Sequence, residues 1–132
     1  MENCIFCKIV NNELPCNKIY EDDEFLAFLD IRPLNPGHTL IIPKNHYRWV
    51  WDVDNICGYF NVAQKIANAI KKAFDTELVV SLVFGEEVPH AHVSLVPRLE
   101  NDGHGHAINF DLHKQLSDEE MQQIQEKIKQ NL

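Results

Sequence analysis

The chain has 132 residues, of which 45% are hydrophobic, and its 12 Lys and Arg stand against 20 Asp and Glu, a formal net charge of −8. This length predicts a single domain over residues 1–132, and the acidic balance argues against a nucleic-acid polymer as partner, since that binding requires a basic surface. The absence of an apolar run near the roughly 20 residues of a membrane span, and an acidic N-terminus, predict a cytosolic protein that binds no membrane.

The chain begins with a Cys-x-x-Cys motif at Cys4 and Cys7, and two further cysteines follow at Cys16 and Cys57. In a cytosolic protein such a pair indicates a metal site or a redox pair sooner than a disulfide. No predicted strand precedes Cys4, as a thioredoxin-like redox pair requires, so the metal site is favoured and buried thiols are the alternative. We predict structural roles for Cys16 and Cys57, with Cys57 on the apolar face of a helix.

The first half of the chain predicts three strands. Two of them, at 19–20 and 25–30, are joined by a solvated acidic turn at 21–24. A Pro- and Gly-containing loop then leads through His38 into a strongly apolar strand at 39–43. His46 follows directly after that strand.

The second half predicts a long helix, two strands and a terminal helix. After an aromatic stretch at 47–51, Asp52 or Asp54 can cap a helix whose apolar stripe is Ile56, Phe60, Ala63, Ile66, Ala67, Ile70 and Phe74. A strand at 78–84 and a turn at 85–87 follow. The strand order and the single long helix predict an α+β fold, an antiparallel sheet with this helix packed on it and a C-terminal helix.

The stretch 89–97 is an apolar strand with two histidines and a serine on one face. Alternation directs His90, His92 and Ser94 one way and the intervening apolar residues toward the core. Such a face is either a pair of surface histidines on an edge strand or a metal or phosphate site, because imidazole can be ligand, base or nucleophile.

The residues after 98 predict a polar extended segment and a capped helix. We expect 99–111 to be partly mobile, with His104 and His106 in solvent. Ser117 and Glu120 have the spacing of a capping box, which starts the final helix.

Taken together, these motifs resemble the histidine triad (HIT) family of nucleotide hydrolases and transferases. The matching segments are Cys4-Ile5-Phe6-Cys7-Lys8-Ile9, Leu14-Pro15, Phe28-Leu29-Asp30-Ile31, Pro36-Gly37-His38-Thr39-Leu40-Ile41-Ile42-Pro43-Lys44-Asn45-His46 and Val88-Pro89-His90-Ala91-His92-Val93-Ser94-Leu95-Val96-Pro97. The resemblance implies a HIT-like fold, a homodimer, and hydrolysis or transfer of a nucleoside monophosphate from phosphoramidates, dinucleotides or related substrates through a nucleotidyl-histidine intermediate.

The resemblance also assigns roles to residues. It implies that His92 is the nucleophile, that His38 supports it near the phosphate, and that the purine nucleoside contacts Phe28, Asp30 and Ile31. It implies a structural zinc ion held by Cys4, Cys7, His46 and His90.

Two departures from the family pattern bear on activity. Ser94 stands where most hydrolases of the family have the third histidine, and serine cannot carry positive charge toward a phosphate. Gly85, Glu86 and Glu87 replace a segment whose hydroxyl assists the leaving group, and the carboxylates would repel phosphate unless they point away. We expect an enzyme slowed by Ser94, and a nucleotide-binding protein with little or no turnover is the alternative.

Overall fold

A computed structural model describes residues 3–132, which form one five-stranded antiparallel sheet with three α-helices. The strands are β1 Lys18–Glu21, β2 Phe25–Leu29, β3 Thr39–Pro43, β4 Val79–Leu82 and β5 Val93–Pro97, in the spatial order β1-β2-β3-β5-β4. The helices are α1 Ile5–Val10, α2 Ile56–Phe74 and α3 Asp118–Lys129, with a 3-10 turn at Val50–Asp52. The predicted α+β fold is confirmed. No helix within residues 3–132 is long and apolar enough to cross a membrane.

Helices α2 and α3 cover one face of the sheet and form the main core with it. Tyr59 is fully buried, stacked on Phe25, and its hydroxyl donates to the Ile41 carbonyl oxygen at 2.6 Å. The buried stripe of α2 is therefore rotated from the predicted one. It contains Tyr59, Val62, Ala63, Ile66, Ala69, Ile70 and Ala73. Cys57 lies outside this stripe and is exposed, so its predicted place on the apolar face is wrong.

Helix α1 and the turn before β5 lie over part of the opposite face. Phe6 is buried there with Leu26, Phe28, Leu40 and Ile42 in a second apolar cluster that also includes Cys4. Strand β5 is shorter than predicted, because it begins at Val93 and the two preceding histidines lie in irregular backbone. The predicted alternation nevertheless holds, since Ala91, Val93 and Leu95 are in the main core.

The chain between β5 and α3 is irregular but is fixed to the loop that precedes β3. In this C-terminal segment (residues 98–114), Asp102 accepts hydrogen bonds from Arg98, Leu99, His104 and Asn35. The predicted exposure of His104 is wrong, because its side chain is buried with both ring nitrogens hydrogen-bonded. His106 is exposed, as predicted. The predicted capping box of Ser117 and Glu120 is present at the start of α3.

Candidate functional site

The face of the sheet that α1 leaves partly open contains most of the residues singled out in the sequence. Phe28 pairs with Leu40 and Leu40 with Ser94, so these side chains share a face across β2, β3 and β5. By the same alternation His92 lies on that face beside Ser94. His38 and Asp30 lie at its far end, where the Asp30 N–H donates to the His38 carbonyl oxygen at 3.0 Å.

The ring of His92 is held in one tautomer by the backbone of His90. Its Nδ1 lies 2.8 Å from the carbonyl oxygen of His90, which can only accept, so Nδ1 carries the proton. The neutral ring then has its lone pair on Nε2. The ring is half-buried and meets the Phe6 ring edge to face, with centroids 5.4 Å apart. This arrangement presents an unprotonated imidazole nitrogen from a fixed ring, as a nucleophile requires.

His38 is the mirror case, with its proton on the other nitrogen. Its side chain is 4% exposed, and Nδ1 accepts the Leu34 N–H at 3.1 Å, which places the proton of the neutral ring on Nε2. Burial lowers the pKa of His38 to about 4, although the neighbouring Asp30 carboxylate opposes that shift. Within residues 3–132 this Nε2 has no hydrogen-bond partner; Asp30 Oδ2 lies 3.6 Å from it. It is thus a buried donor whose hydrogen bond is not made by the described residues.

The residues predicted to contact the nucleoside occupy different environments. Phe28 is 3% exposed and lies edge to face against Phe6, with centroids 5.6 Å apart. Ile31 is 81% exposed, in the loop after β2. Asp30 is half-buried, and its Oδ1 accepts the Arg32 N–H at 2.8 Å while Oδ2 remains near His38. The structure therefore brings Asp30 and His38 together and leaves Ile31 in solvent.

A small cavity adjoins His92 on the side of the aromatic stretch. It is lined by Arg48, Trp49, Val50, Trp51, Val83, Phe84, Gly85, Ala91 and His92 and measures about 40 Å³. Arg48 donates to the Gly85 carbonyl oxygen at 2.7 Å and stacks on the Trp49 ring at 3.6 Å. Glu86 and Glu87, which follow Gly85, are exposed. No role for Arg48 was predicted from the sequence, although its place within an aromatic stretch was a signal.

A cluster of side chains beside α1 could hold a metal ion, and its members are Cys4, Cys7, His46 and His90. Their four potential ligand atoms all lie within 4.8 Å of one another. Nδ1 of His90 is 3.2 Å from the Cys4 sulfur and 3.5 Å from the Cys7 sulfur, and Nδ1 of His46 is 3.3 Å from the Cys7 sulfur. These residues are separated by up to 86 positions in sequence. The fold therefore assembles a compact set of sulfur and nitrogen donors.

The protonation of this cluster suits metal binding. The Nε2–H of His90 donates to the Pro43 carbonyl oxygen at 2.8 Å, so the Nδ1 lone pair faces the two sulfurs. Burial lowers the pKa of His90 to about 4, which keeps its ring neutral at pH 7. Burial, with the Cys4 side chain, raises the pKa of the Cys7 thiol to about 11. A metal ion must displace the Cys7 proton on binding, so its affinity should increase with pH.

Comparison with known proteins shows matches over most of the chain. Residues 11–101 match the family model of the HIT domain. An uncharacterized HIT-like protein of Methanocaldococcus jannaschii is 42% identical over 87% of this chain and 97% of its own length. A Schizosaccharomyces pombe protein named adenosine 5′-monophosphoramidase is 32% identical over 96% of each chain.

Solved structures agree with the fold. A HIT-like protein of Bartonella henselae, solved with an unknown ligand, superimposes with a TM-score of 0.83, at 35% identity over 100% of this chain and 98% of its own. A zinc-bound histidine triad family protein of Mycobacterium smegmatis superimposes with a TM-score of 0.80, at 30% identity over 98% of this chain and 93% of its own.

Proposed function

Because the chain belongs to the HIT-domain family, we propose that it releases a nucleoside monophosphate from a phosphoramidate or related α-phosphate compound by way of a nucleotidyl-His92 intermediate. The observation that carries this proposal is the orientation of the His92 ring. Its Nδ1–H donates to the His90 carbonyl oxygen, so the Nε2 of the neutral ring carries the lone pair. The S. pombe relative, named for action on an adenosine phosphoramidate, supports this substrate class.

In the first step, Nε2 of His92 forms a bond to the α-phosphorus and the bond from phosphorus to the leaving amine breaks. The amine takes a proton from solvent. The ring becomes an imidazolium that keeps Nδ1–H, and the His90 carbonyl oxygen, 2.8 Å away, stabilises that proton. In the second step, water forms a bond to phosphorus and loses a proton to solvent, and the bond from phosphorus to Nε2 breaks with its electron pair returning to the ring, which releases the monophosphate and restores the neutral imidazole.

We propose that His38 and Asp30 bind the nucleotide beside His92. The Nε2–H of His38 is a buried donor without a partner among residues 3–132, and a phosphate oxygen would satisfy it. The Oδ2 of Asp30 can accept a ribose hydroxyl at the end of β2. Ile31, which is 81% exposed, is the proposed apolar contact for the purine base, and the buried Phe28 would line the base position from below.

Zinc is the metal that we propose for the cluster of Cys4, Cys7, His46 and His90. Two thiolates and two imidazoles are a common donor set for structural zinc, and the donor atoms of such a site are about 3.3–3.8 Å apart. The three sulfur–nitrogen distances of 3.2–3.5 Å lie within about 0.4 Å of the roughly 3.6 Å expected for such a pair, and all four donor atoms lie within 4.8 Å of one another. The bound ion would fix α1 and His90, and with them the backbone carbonyl that holds His92. The zinc-bound M. smegmatis structure supports this proposal.

We propose that two copies of the chain pair through the side of the sheet that ends in β4. This strand is at the edge of the sheet, and an uncovered edge favours pairing with another chain. Large apolar side chains are exposed at its two ends and in the aromatic stretch. They are Leu78, Val83, Phe84, Trp49 and Trp51, and Trp51 is 73% exposed.

A binding protein with little or no turnover is the second candidate, and Ser94 is the observation that favours it. Ser94 lies on the site face where the family's third histidine would stand, and it cannot supply positive charge to the transition state. Turnover separates the two candidates.

The test is steady-state hydrolysis of an adenosine phosphoramidate by the wild-type protein, the His92→Asn variant and a His106→Asn control. Asparagine places a polar atom near the Nδ1 position but lacks the nucleophile. We expect His92→Asn to abolish turnover while still binding AMP, and His106→Asn, altered at an exposed histidine, to match the wild type. AMP binding without turnover in the wild type would instead establish the second candidate.

A further inference from the structure

The C-terminal segment (residues 98–114) binds three successive backbone carbonyl groups of the loop that leads to His38. The ring of His113 donates to the Arg32 carbonyl oxygen at 2.8 Å, and the Lys114 N–H donates to the Pro33 carbonyl oxygen at 2.7 Å. The ring of His104 donates to the next carbonyl oxygen, that of Leu34, at 2.7 Å. Three successive carbonyl groups are thus held by one segment. The match to the HIT-domain model ends at residue 101, before His104.

His104 is the buried member of this contact, and both of its nitrogens are used. It is 7% exposed, its Nε2 donates to Leu34, and its Nδ1 accepts the Asn109 N–H at 3.0 Å. The backbone of His104 is also fixed, because its N–H donates to Asp102 Oδ1 at 3.0 Å. The ring therefore has one orientation and one tautomer.

Leu34 connects this ring to the site. It is 3% exposed, its carbonyl accepts from His104, and its N–H donates to Nδ1 of His38 at 3.1 Å. That last bond is what leaves the proton of His38 on Nε2, where it faces Asp30 and the nucleotide position. A loop free to move at Leu34 would release Nδ1 and allow the ring of His38 to turn or to change tautomer.

We propose that His104 is a positioning residue for His38, acting through Leu34 to keep the Nε2–H of His38 directed into the site. This inference rests on the proposed function for the role it gives His38 in nucleotidyl transfer. It does not rest on it for the orientation of the ring, which can be measured without any nucleotide.

Two substitutions separate the Leu34 bond from the rest of the contact. Asparagine at position 104 keeps an acceptor near Nδ1 for the Asn109 N–H but is too short to reach the Leu34 carbonyl. Glutamine has an amide N–H that can reach it. His106→Asn, at an exposed position in the same segment, is the control.

The first measurement is the tautomer of His38 by nitrogen-15 NMR of histidine-labelled protein without nucleotide. In the wild type, His104→Gln and His106→Asn we expect Nδ1 of His38 to be unprotonated and Nε2 to carry the proton. In His104→Asn we expect a mixture of tautomers in a protein that is still folded by circular dichroism. A wild type with a protonated Nδ1 at His38, or an unchanged spectrum in folded His104→Asn, would overturn the inference.

The second measurement is turnover of the adenosine phosphoramidate by the same variants. We expect kcat to fall about tenfold in His104→Asn with little change in KM, and to be kept in His104→Gln, since a small misplacement of a catalytic group can cost up to roughly a hundredfold. An equal loss in both variants would assign His104 a general structural role instead. A wild type without turnover would defeat the proposed function, and the NMR result would still decide the role of His104.

Discussion

Replacement of Cys7 by serine should destabilise the protein through loss of one metal ligand. Serine is nearly the same size as cysteine, so α1 and its cap at Cys4 should persist. A serine hydroxyl, however, is a poor zinc ligand beside a thiolate. The substitution therefore removes one of four ligands and little else.

The size of the effect follows from the donor set and the chain length. Structural zinc contributes about 10–16 kcal/mol in zinc-finger peptides, so one of four ligands accounts for roughly 3 kcal/mol. An unfolding entropy of about 2.1 cal/mol/K per residue amounts to about 0.28 kcal/mol/K over 132 residues. We therefore expect the zinc-loaded Cys7→Ser variant to melt roughly 11 °C below the zinc-loaded wild type.

The assay is thermal unfolding of the wild type, Cys7→Ser and a Cys57→Ser control, each with zinc and with a chelator. Cys57 is an exposed cysteine on α2, and its substitution should change stability by no more than about 0.5 kcal/mol. With chelator, the wild type and Cys7→Ser should melt together. Burial raises the pKa of the Cys7 thiol to about 11, and zinc binding displaces its proton. For each proton released, zinc affinity should therefore fall about tenfold for each unit by which the pH is lowered.

Either of two results would refute this reasoning. A gap between the wild type and Cys7→Ser that persists in chelator would assign the effect to protein contacts. If Cys7→Ser melts with Cys57→Ser in the presence of zinc, and elemental analysis finds no zinc in the wild type, the proposed metal site is wrong.

Three further predictions concern the site and the assembly. Ser94→His should raise single-turnover hydrolysis at least about tenfold by adding a donor to the phosphate, and an unchanged rate would mean that the site is adapted to another substrate. Burial lowers the pKa of His38 to about 4, so the neutral ring stabilises the fold above the unfolded pKa near 6.5, and this contribution is lost as the pH falls toward 4. Between pH 7 and 4, the free energy of unfolding in urea should therefore fall by roughly 3 kcal/mol less in His38→Asn than in the wild type. Light scattering should give a molecular mass of twice the 15.3 kDa of the chain for the wild type and the mass of a monomer for Trp51→Glu. A monomeric wild type would exclude the homodimer.

Much of the fold could be predicted because its signals are local. Strand β3 was predicted with its observed bounds at 39–43, since five consecutive apolar or β-branched positions follow a turn. The capping box at Ser117 needs only three residues of context, and it is present. The side of α2 that faces the sheet was less predictable. Tyr59 is buried because the Ile41 carbonyl, in another element, satisfies its hydroxyl.

The parts of the site that the sequence did not reveal depend on partners far along the chain. His104 is buried because its ring reaches Leu34, 70 positions away, and no local pattern encodes that contact. Asp102 and Asn35 join across 67 positions in the same way. The cluster of Cys4, Cys7, His46 and His90 is equally non-local, and it was anticipated because the motifs resemble a family in which such residues meet.

The central claim is that His92 becomes covalently attached to the nucleotide. Wild-type protein is mixed with an excess of an adenosine phosphoramidate and quenched in alkaline denaturant within one turnover. Intact mass spectrometry should then show a gain of one adenylyl group. Peptide mapping should place that group on His92, and His92→Asn should gain nothing. Turnover without any adenylylated protein at any quench time, or a group mapped to another residue, would contradict the account.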